Sequence, residues 1–293
     1  MASVPMRGRS TRRSYKTSEI INKILFYILV VFILIYTIFP FYWAIVTSLK
    51  PANRLFDTPV DYLPTNFTLE NYRQAYANPN FFPALRNSTI VTLVTVSFAL
   101  VVGSFAAYAI GRLRFRGRTF ILYLTLSMTM FPAIAIVGSF YQLIIQLKLY
   151  NTLAALIISY TVFTLPFTVW TLTNFFKAMP GELEEAALVD GATPFQTFYK
   201  VLLPLAAPGL VTTGLLAFIG AWNEFLFALT FTQDYTARTA VVFVGTFAGE
   251  QEFSLPWGSI MALSVTLTIP LIVLVLFFQR RIIAGLTAGA VKG

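Results

Sequence analysis

The side chains that could do chemistry are few, and the missing ones narrow the field first. The 293 residues contain neither histidine nor cysteine. With no imidazole or thiol to act as base, nucleophile or metal ligand, zinc proteases and Cys–His or Ser–His hydrolases are excluded. The acids of interest gather at two places. Glu182, Glu184 and Glu185 stand together, with Asp190 following. Clustered carboxylates can serve general acid–base catalysis. Here they lack a histidine or metal partners, and a helix start, whose dipole favours anions, accounts for them better. Glu224 is a lone acid in an apolar run, flanked by Trp222 and Asn223. A charge in such a place is costly unless it faces protein or water. Two readings stay open for it: a position on a cavity or gate, or an interhelical hydrogen bond or external interface. Asn223 and Gln142 are the next polar candidates. No Gly-rich loop ending in Lys-Ser/Thr occurs to hold nucleotide phosphates. The chain is therefore expected to hydrolyse no nucleotide and to bind no metal or cofactor of its own.

The elements that must position these residues differ from those of a soluble domain. Hydrophobic residues make up 57% of the chain and charged residues 11%, against roughly 45–50% and about 25% in soluble domains. Six stretches free of Asp, Glu, Lys and Arg cover 24–49, 87–111, 119–147, 149–176, 201–223 and 253–279, each 23 residues or longer. A helix needs roughly 20 apolar residues to cross a hydrocarbon layer of about 30 Å. Barrel strands would alternate over ~10 residues, whereas these runs are continuously apolar, and a helix pairs its backbone within one segment. The expected fold is an all-α integral membrane protein with six transmembrane helices. The first run is too long for a secretory signal and lacks a clear small-residue cleavage site, so it reads as a retained helix. Pro40, Pro132, Pro166 and Pro270 fall inside the runs and favour kinks.

Cation placement sets the expected orientation. The N-terminal segment, the connection holding Arg112, Arg114, Arg116 and Arg118, the connection with Lys177 and Lys200, and the C-terminal tail carry 15 Lys and Arg; the alternate connections carry six. The positive-inside rule then puts both termini in the cytoplasm. Interleaved with six spans, these cations suit topology and contact with anionic membrane lipid rather than nucleic acid. The resulting division is a basic segment 1–23, a first span 24–49, an external loop 50–86, a core 87–279 with five spans and a cytoplasmic loop 180–204, and a tail 280–293. The external connections 50–86 and 230–257, the latter with Asp234, Gly249, Glu250 and Glu252, are long enough to touch an outside partner.

The loop between the fourth and fifth spans reads as two short helices and a sharp turn. Pro180-Gly181 ends the preceding span, and Glu182, Glu184 and Glu185 fill a first helical turn. Gly191 suits a left-handed C-terminal cap. Thr193 then caps a second helix with Pro194 at its first position. A helix–turn–helix of this kind, with Leu183, Ala186, Ala187 and Val189 as small and apolar surface, fits a groove in another protein.

Glu185-Ala186-Ala187, Asp190-Gly191-Ala192 and Leu203-Pro204 resemble the signature of type I ABC importer permeases, and this loop resembles their coupling helix. Ser48-Leu49-Lys50-Pro51, Asn71-Tyr72 and Asn87-Ser88 resemble the opening half of carbohydrate permeases, and Ala221-Trp222-Asn223-Glu224-Phe225 their fifth-span motif. The ending Gly285 to Gly293 resembles the tail of the second permease subunit of maltose-type importers. The resemblance implies that Glu185, Ala186, Ala187, Asp190, Gly191, Ala192 and Pro204 couple to an ATPase, and that Gly289 and Lys292 lie in a tail reaching the ATPase interface. It also implies a second permease subunit, two ABC ATPase subunits holding ATP and Mg, an external solute-binding protein and a sugar substrate of the maltose or trehalose type. Trp222, Asn223, Glu224 and Gln142 are the expected path residues. Trp170 and Tyr160 could stack on a sugar face, although packing explains aromatic residues more simply. The first alternative is a type I ABC permease for another small solute such as an amino acid or phosphate. The main rival from another class is an ion-coupled secondary transporter, which would need several buried ionisable groups and often repeated broken helices.

Overall fold

Four of the six charge-free stretches fold as unbroken helices, and two are bent. The computed structural model describes residues 10–63, 66–247 and 255–290, with side chains described for those between 19 and 279. In chain order the helices begin with α1 (Ser10–Ser48), α2 (Glu70–Ala77), α3 (Phe81–Arg112) and α4 (Arg118–Met128). Next come α5 (Ala133–Gln146), α6 (Leu153–Ala178), α7 (Glu182–Val189), α8 (Pro194–Thr197) and α9 (Leu203–Leu205). The chain continues through α10 (Ala207–Trp222), α11 (Leu226–Phe231), α12 (Ala240–Gly245) and α13 (Trp257–Ala290), and no strand occurs among the described residues. Helices α1, α3, α6 and α13 are long and apolar enough to cross a membrane. Among the described residues, length and composition allow up to six crossings when each bent pair counts as one.

The bends are where the structure departs from six simple spans. Helices α4 and α5 meet at 94°. Pro132, with no N–H to donate, precedes α5 in extended conformation and stops α4 from running on. Carbonyls near the break are taken by hydroxyls, Ser127 donating to Leu124 and Thr129 to Leu126, both at 2.7 Å. The 14 residues of α5 rise about 21 Å, too little to cross a ~30 Å layer alone. The second bend, 72°, separates residues 194–205 from α10. Residues 198–202 form a wide π turn ahead of Pro204, and buried Ala206 forms the elbow. Residues 201–205, expected to open the fifth span, therefore belong to the run that follows α7. Pro40, Pro166 and Pro270 sit inside unbroken helices, so only Pro132 of the four coincides with a break.

Packing centres on α3 against α6, with α10 laid across both and α13 covering α10 and α1. Lipid offers apolar side chains as good a home as a neighbouring helix, so close packing of small residues has to hold such a bundle together. Ala99, Gly103, Ser104 and Ala107 give α3 that surface, and all four are buried. A Cβ on Gly103 would come within 2.7 Å of the Thr168 methyl on α6. On the other face, Phe81, Trp222, Phe243 and Leu263 form a core beneath α2 and α12.

Asparagine side chains fasten the connections at the end of the bundle where α1 stops and α3 begins. The Asn71 amide donates to the carbonyls of Ser48 (2.9 Å) and Lys50 (2.7 Å) at the end of α1. The Asn87 amide donates to Tyr235, Thr236 and Arg238 carbonyls at 3.3, 3.1 and 3.0 Å, and the Ser88 hydroxyl accepts from the Ala240 amide at 2.8 Å. Asn151 accepts from the amides of Gln233 (2.9 Å) and Asp234 (3.3 Å). The Asp234 carboxylate accepts from the hydroxyl and amide of Thr236. Side-chain hydrogen bonding from Thr236 first, then from the Asn151 side chain, holds the Asp234 carboxyl below its ordinary pKa. Gly249, Glu250 and Glu252 lie outside the described residues.

Candidate functional site

The loop that the sequence singles out folds as a rigid, protruding corner. Glu182, Glu184 and Glu185 occupy the first turn of α7. The helix ends in a paired lock: the Gly191 amide donates to the Leu188 carbonyl at 3.0 Å and the Ala192 amide to the Ala187 carbonyl at 2.9 Å. That geometry needs a left-handed residue after the last turn, and Gly191 supplies it with φ +81°. Beyond it, Thr193 accepts from the Gln196 amide (3.3 Å) while the Gln196 side chain accepts from the Thr193 amide (2.8 Å), a reciprocal cap with Pro194 at the first position. Ala187 is the buried residue of α7, and Glu185, Ala186, Asp190 and Gly191 are exposed. Ala192 is half-buried and Pro204 exposed. Leu188 and Val189 stand 53% and 88% exposed, an apolar tip with no cover within this chain.

Arg112, the last residue of α3, ties this corner to the bundle. Its guanidinium pairs with Glu184 at 3.0 Å, with side-chain exposures of 11% and 22%. The same group donates to the carbonyls of Met179 (2.9 Å), Pro180 (3.2 Å) and Phe176 (3.4 Å). One planar cation thus satisfies orphan carbonyls at and just after the end of α6, and it stands in ion-pair contact with a carboxylate in the first turn of α7 whose Oε1 accepts no hydrogen bond. Beside the arginine, the same face of α3 is gripped by rings. Phe198 lies 5.0 Å from both Phe105 and Tyr108, and Phe105 stacks on Phe195 at 6.3 Å.

A second site lies within the bundle. A cavity of about 550 Å³ opens between α5, α6, α10 and α11, lined by Tyr160, Phe163, Phe167, Gly220, Glu224 and Phe227 among others. Glu224 serves two purposes there. Its carboxylate accepts from the Phe227 amide (2.8 Å) and the Ala228 amide (3.1 Å), which opens α11, and it faces the cavity with the Tyr160 hydroxyl as an electrostatic neighbour. The residue thus lines the cavity and caps α11 by local bonds, rather than bonding to a distant helix. Of the other path candidates, none lines this cavity. Trp222 is buried the other way, its indole N–H donating to the Leu267 carbonyl at 3.2 Å and its ring stacked on Phe218. Asn223 is exposed and donates to Ile219 at 2.9 Å, and Gln142 is exposed on α5. Among the described residues no group of His, Cys, Asp and Glu could hold a metal.

Residues 99–287 match the family described as the binding-protein-dependent transport system inner membrane component. The chain belongs to this family. The permease is 45% identical over 258 residues to the trehalose transport system permease protein SugB of Mycobacterium tuberculosis, covering 88% of this chain and 93% of that one. It is 42% identical to the trehalose/maltose transport system permease protein MalG of Thermococcus litoralis, covering 94% and 99%. It is 38% identical to the sulfoquinovosyl glycerol transport system permease protein SmoH of Agrobacterium fabrum, covering 89% and 91%. Among solved structures it resembles a bacterial ABC transporter involved in import of the polysaccharide alginate, with a TM-score of 0.74, 22% identity, and coverage of 94% of this chain and 99% of that one. That likeness supports the fold.

Sequence reasoning about the permease missed Arg112 as a site residue. Its signal was hidden because it heads a run of four arginines that topology already explains, and nothing local marks it as the one facing inward. Tyr160 was named only for its ring; its hydroxyl beside Glu224 depends on how α6 meets α11. Gly289 lies in the last turns of α13, where side-chain surroundings are not described, and Lys292 lies outside the described residues.

Proposed function

We propose that this chain is one of two membrane-spanning subunits of an importer that carries a sugar, of the di- or oligosaccharide kind, into the cytoplasm. Separate ATPase subunits holding ATP and Mg drive the cycle, an external solute-binding protein delivers the sugar, and this chain hydrolyses nothing itself. The single observation that carries this reading is the α7 corner: a capped helix with an uncovered apolar tip, locked to the ends of α3 and α6. Such a corner is suited to enter a groove in a moving partner and pass the displacement on. The named substrates of its relatives, trehalose, maltose and a sulfoquinovosyl glycerol, support a carbohydrate cargo.

Glu185, Ala186, Ala187, Asp190, Gly191, Ala192 and Pro204 form the ATPase-facing surface in this proposal, with Gly289 and Lys292 in a tail that reaches the same partner. Both termini face the cytoplasm. ATP binding closes the ATPase pair, draws the two coupling corners together and turns the membrane cavity outward to receive sugar. Hydrolysis resets it. The test is the complex of this chain with its second permease and ATPases, reconstituted in vesicles with the cognate binding protein. Uptake of labelled trehalose or maltose that requires both ATP and the binding protein is the expected result. Failure of every carbohydrate to stimulate ATP hydrolysis, with another solute class doing so, would overturn the sugar assignment.

A further inference from the structure

We propose that Arg112 is a positioning residue for energy coupling: its ion pair with Glu184 and its hydrogen bonds to the carbonyls at and just after the end of α6 make the end of α3 move as one body with the α7 corner. The inference rests on the reading of α7 as the ATPase-facing helix. Covalent connection alone gives α7 a hold on α6, which precedes it, and on the 194–205 run, which follows it. Helix α3 has no such connection to α7, yet it is the helix packed along α6 and under α10. The guanidinium bridges that gap. It meets Glu184 at 3.0 Å and the Met179 and Pro180 carbonyls at 2.9 and 3.2 Å.

The pair is largely shielded, with exposures of 11% and 22%, so salt screens it less than a surface pair. The guanidinium's hydrogen bonds to the Phe176, Met179 and Pro180 carbonyls fix its plane, so the ion pair to α7 is made by an oriented donor. On the same face of α3 as the arginine, one and two turns earlier, Phe198 grips the helix through Tyr108 and Phe105, both at 5.0 Å. The end of α3 is thus clamped from the α7 side by charge and from the 194–205 side by rings. From there α3 runs to Gly103 against Thr168 and Leu100 against Gly214, which places it on the route between the corner and the helices around the cavity.

The experiment uses the assembled transporter in vesicles, comparing sugar imported per ATP hydrolysed for wild type, Arg112→Gln, Glu184→Gln, the double neutral variant and the exchange Arg112→Glu with Glu184→Arg. Each single neutral variant is expected to lower the transport-to-hydrolysis ratio by about fivefold or more. The double neutral variant should be no worse than Arg112→Gln, because the two groups act together. The exchange should recover part of the loss without reaching wild type, since a glutamate at 112 cannot donate to the α6 carbonyls. Glu184→Gln leaves those carbonyl bonds in place, so it decides the matter if Arg112→Gln does not assemble. A Glu184→Gln complex with an unchanged ratio overturns the proposal, as do losses that simply add. A wild-type complex that imports no sugar would instead overturn the function on which the inference rests.

Discussion

At Gly191 the backbone sits at φ +81°, and no atom lies within 4 Å of where a Cβ would stand. Space is therefore no obstacle to a side chain, and the cost of one is the left-handed backbone itself, about 1–3 kcal/mol for a β-branched residue. Asparagine visits that region far more easily. Gly191→Val is expected to raise ATP hydrolysis that moves no sugar, while Gly191→Asn stays near wild type; equal coupling in both, measured in vesicles, would remove the turn from the mechanism. Asp234 allows a different test. Its lowered pKa means that its stabilising bonds are present at neutral pH, persist through the ordinary carboxylate range near ~3.9, and are lost only as pH falls through the depressed value. Hydrogen exchange at the Thr236 amide should follow the usual base-catalysed trend down to about pH 4 and show extra opening only below it, and Asp234→Asn should remove that acid step.

Helices in this chain owe their fit to small residues facing larger ones. Gly103→Ala places a methyl against the Thr168 methyl at 2.7 Å, an overpacking expected to cost about 1–3 kcal/mol. Thr168→Ser removes the obstructing methyl while keeping the hydroxyl that donates to the Thr164 carbonyl at 2.9 Å. The double variant should recover most of the melting temperature lost by Gly103→Ala in detergent, and additive losses would place the strain elsewhere. At this scale the sequence is unevenly legible. The α7 corner could be read almost whole, because Glu182, Gly191, Thr193 and Pro194 act on their own turns. The bends could not, because Pro132 carries the same local signal as Pro40, Pro166 and Pro270, and neighbouring helices decide which proline interrupts its helix. Arg112 was illegible for the same reason: its partners are 64 to 72 positions away in the chain.

For the molecule as a whole, two pairs of consecutive helices from separate parts of the chain, α5 with α6 and α10 with α11, enclose the cavity, and Glu224 is the charged group among the residues that line it. Glutamine at 224 keeps one oxygen for the α11 amides and loses the other, a local cost of about 0.5–1.5 kcal/mol. Glu224→Gln should therefore assemble normally. A raised KM for sugar uptake, with ATP hydrolysis in the absence of binding protein unchanged, would assign the carboxylate to the solute path; an unaltered KM would leave it to the start of α11. Sequence alone marked Glu224 as a cavity or interhelical position, but not as the cap of α11, because that role depends on where α10 stops.

The two ends of the bundle are fastened by different chemistry. Toward the proposed cytoplasmic side the fastener is an arginine with a carboxylate. Toward the proposed outer side the principal fasteners are the neutral amides of Asn71, Asn87 and Asn151. An amide neither gains nor loses a proton across any habitable acidity, and dissolved ions do not screen it as they screen a charge. Apart from the Asp234 carboxylate, the proposed outward end is thus held chiefly by bonds indifferent to the medium, in the place where the cell would not control the medium's acidity or salinity.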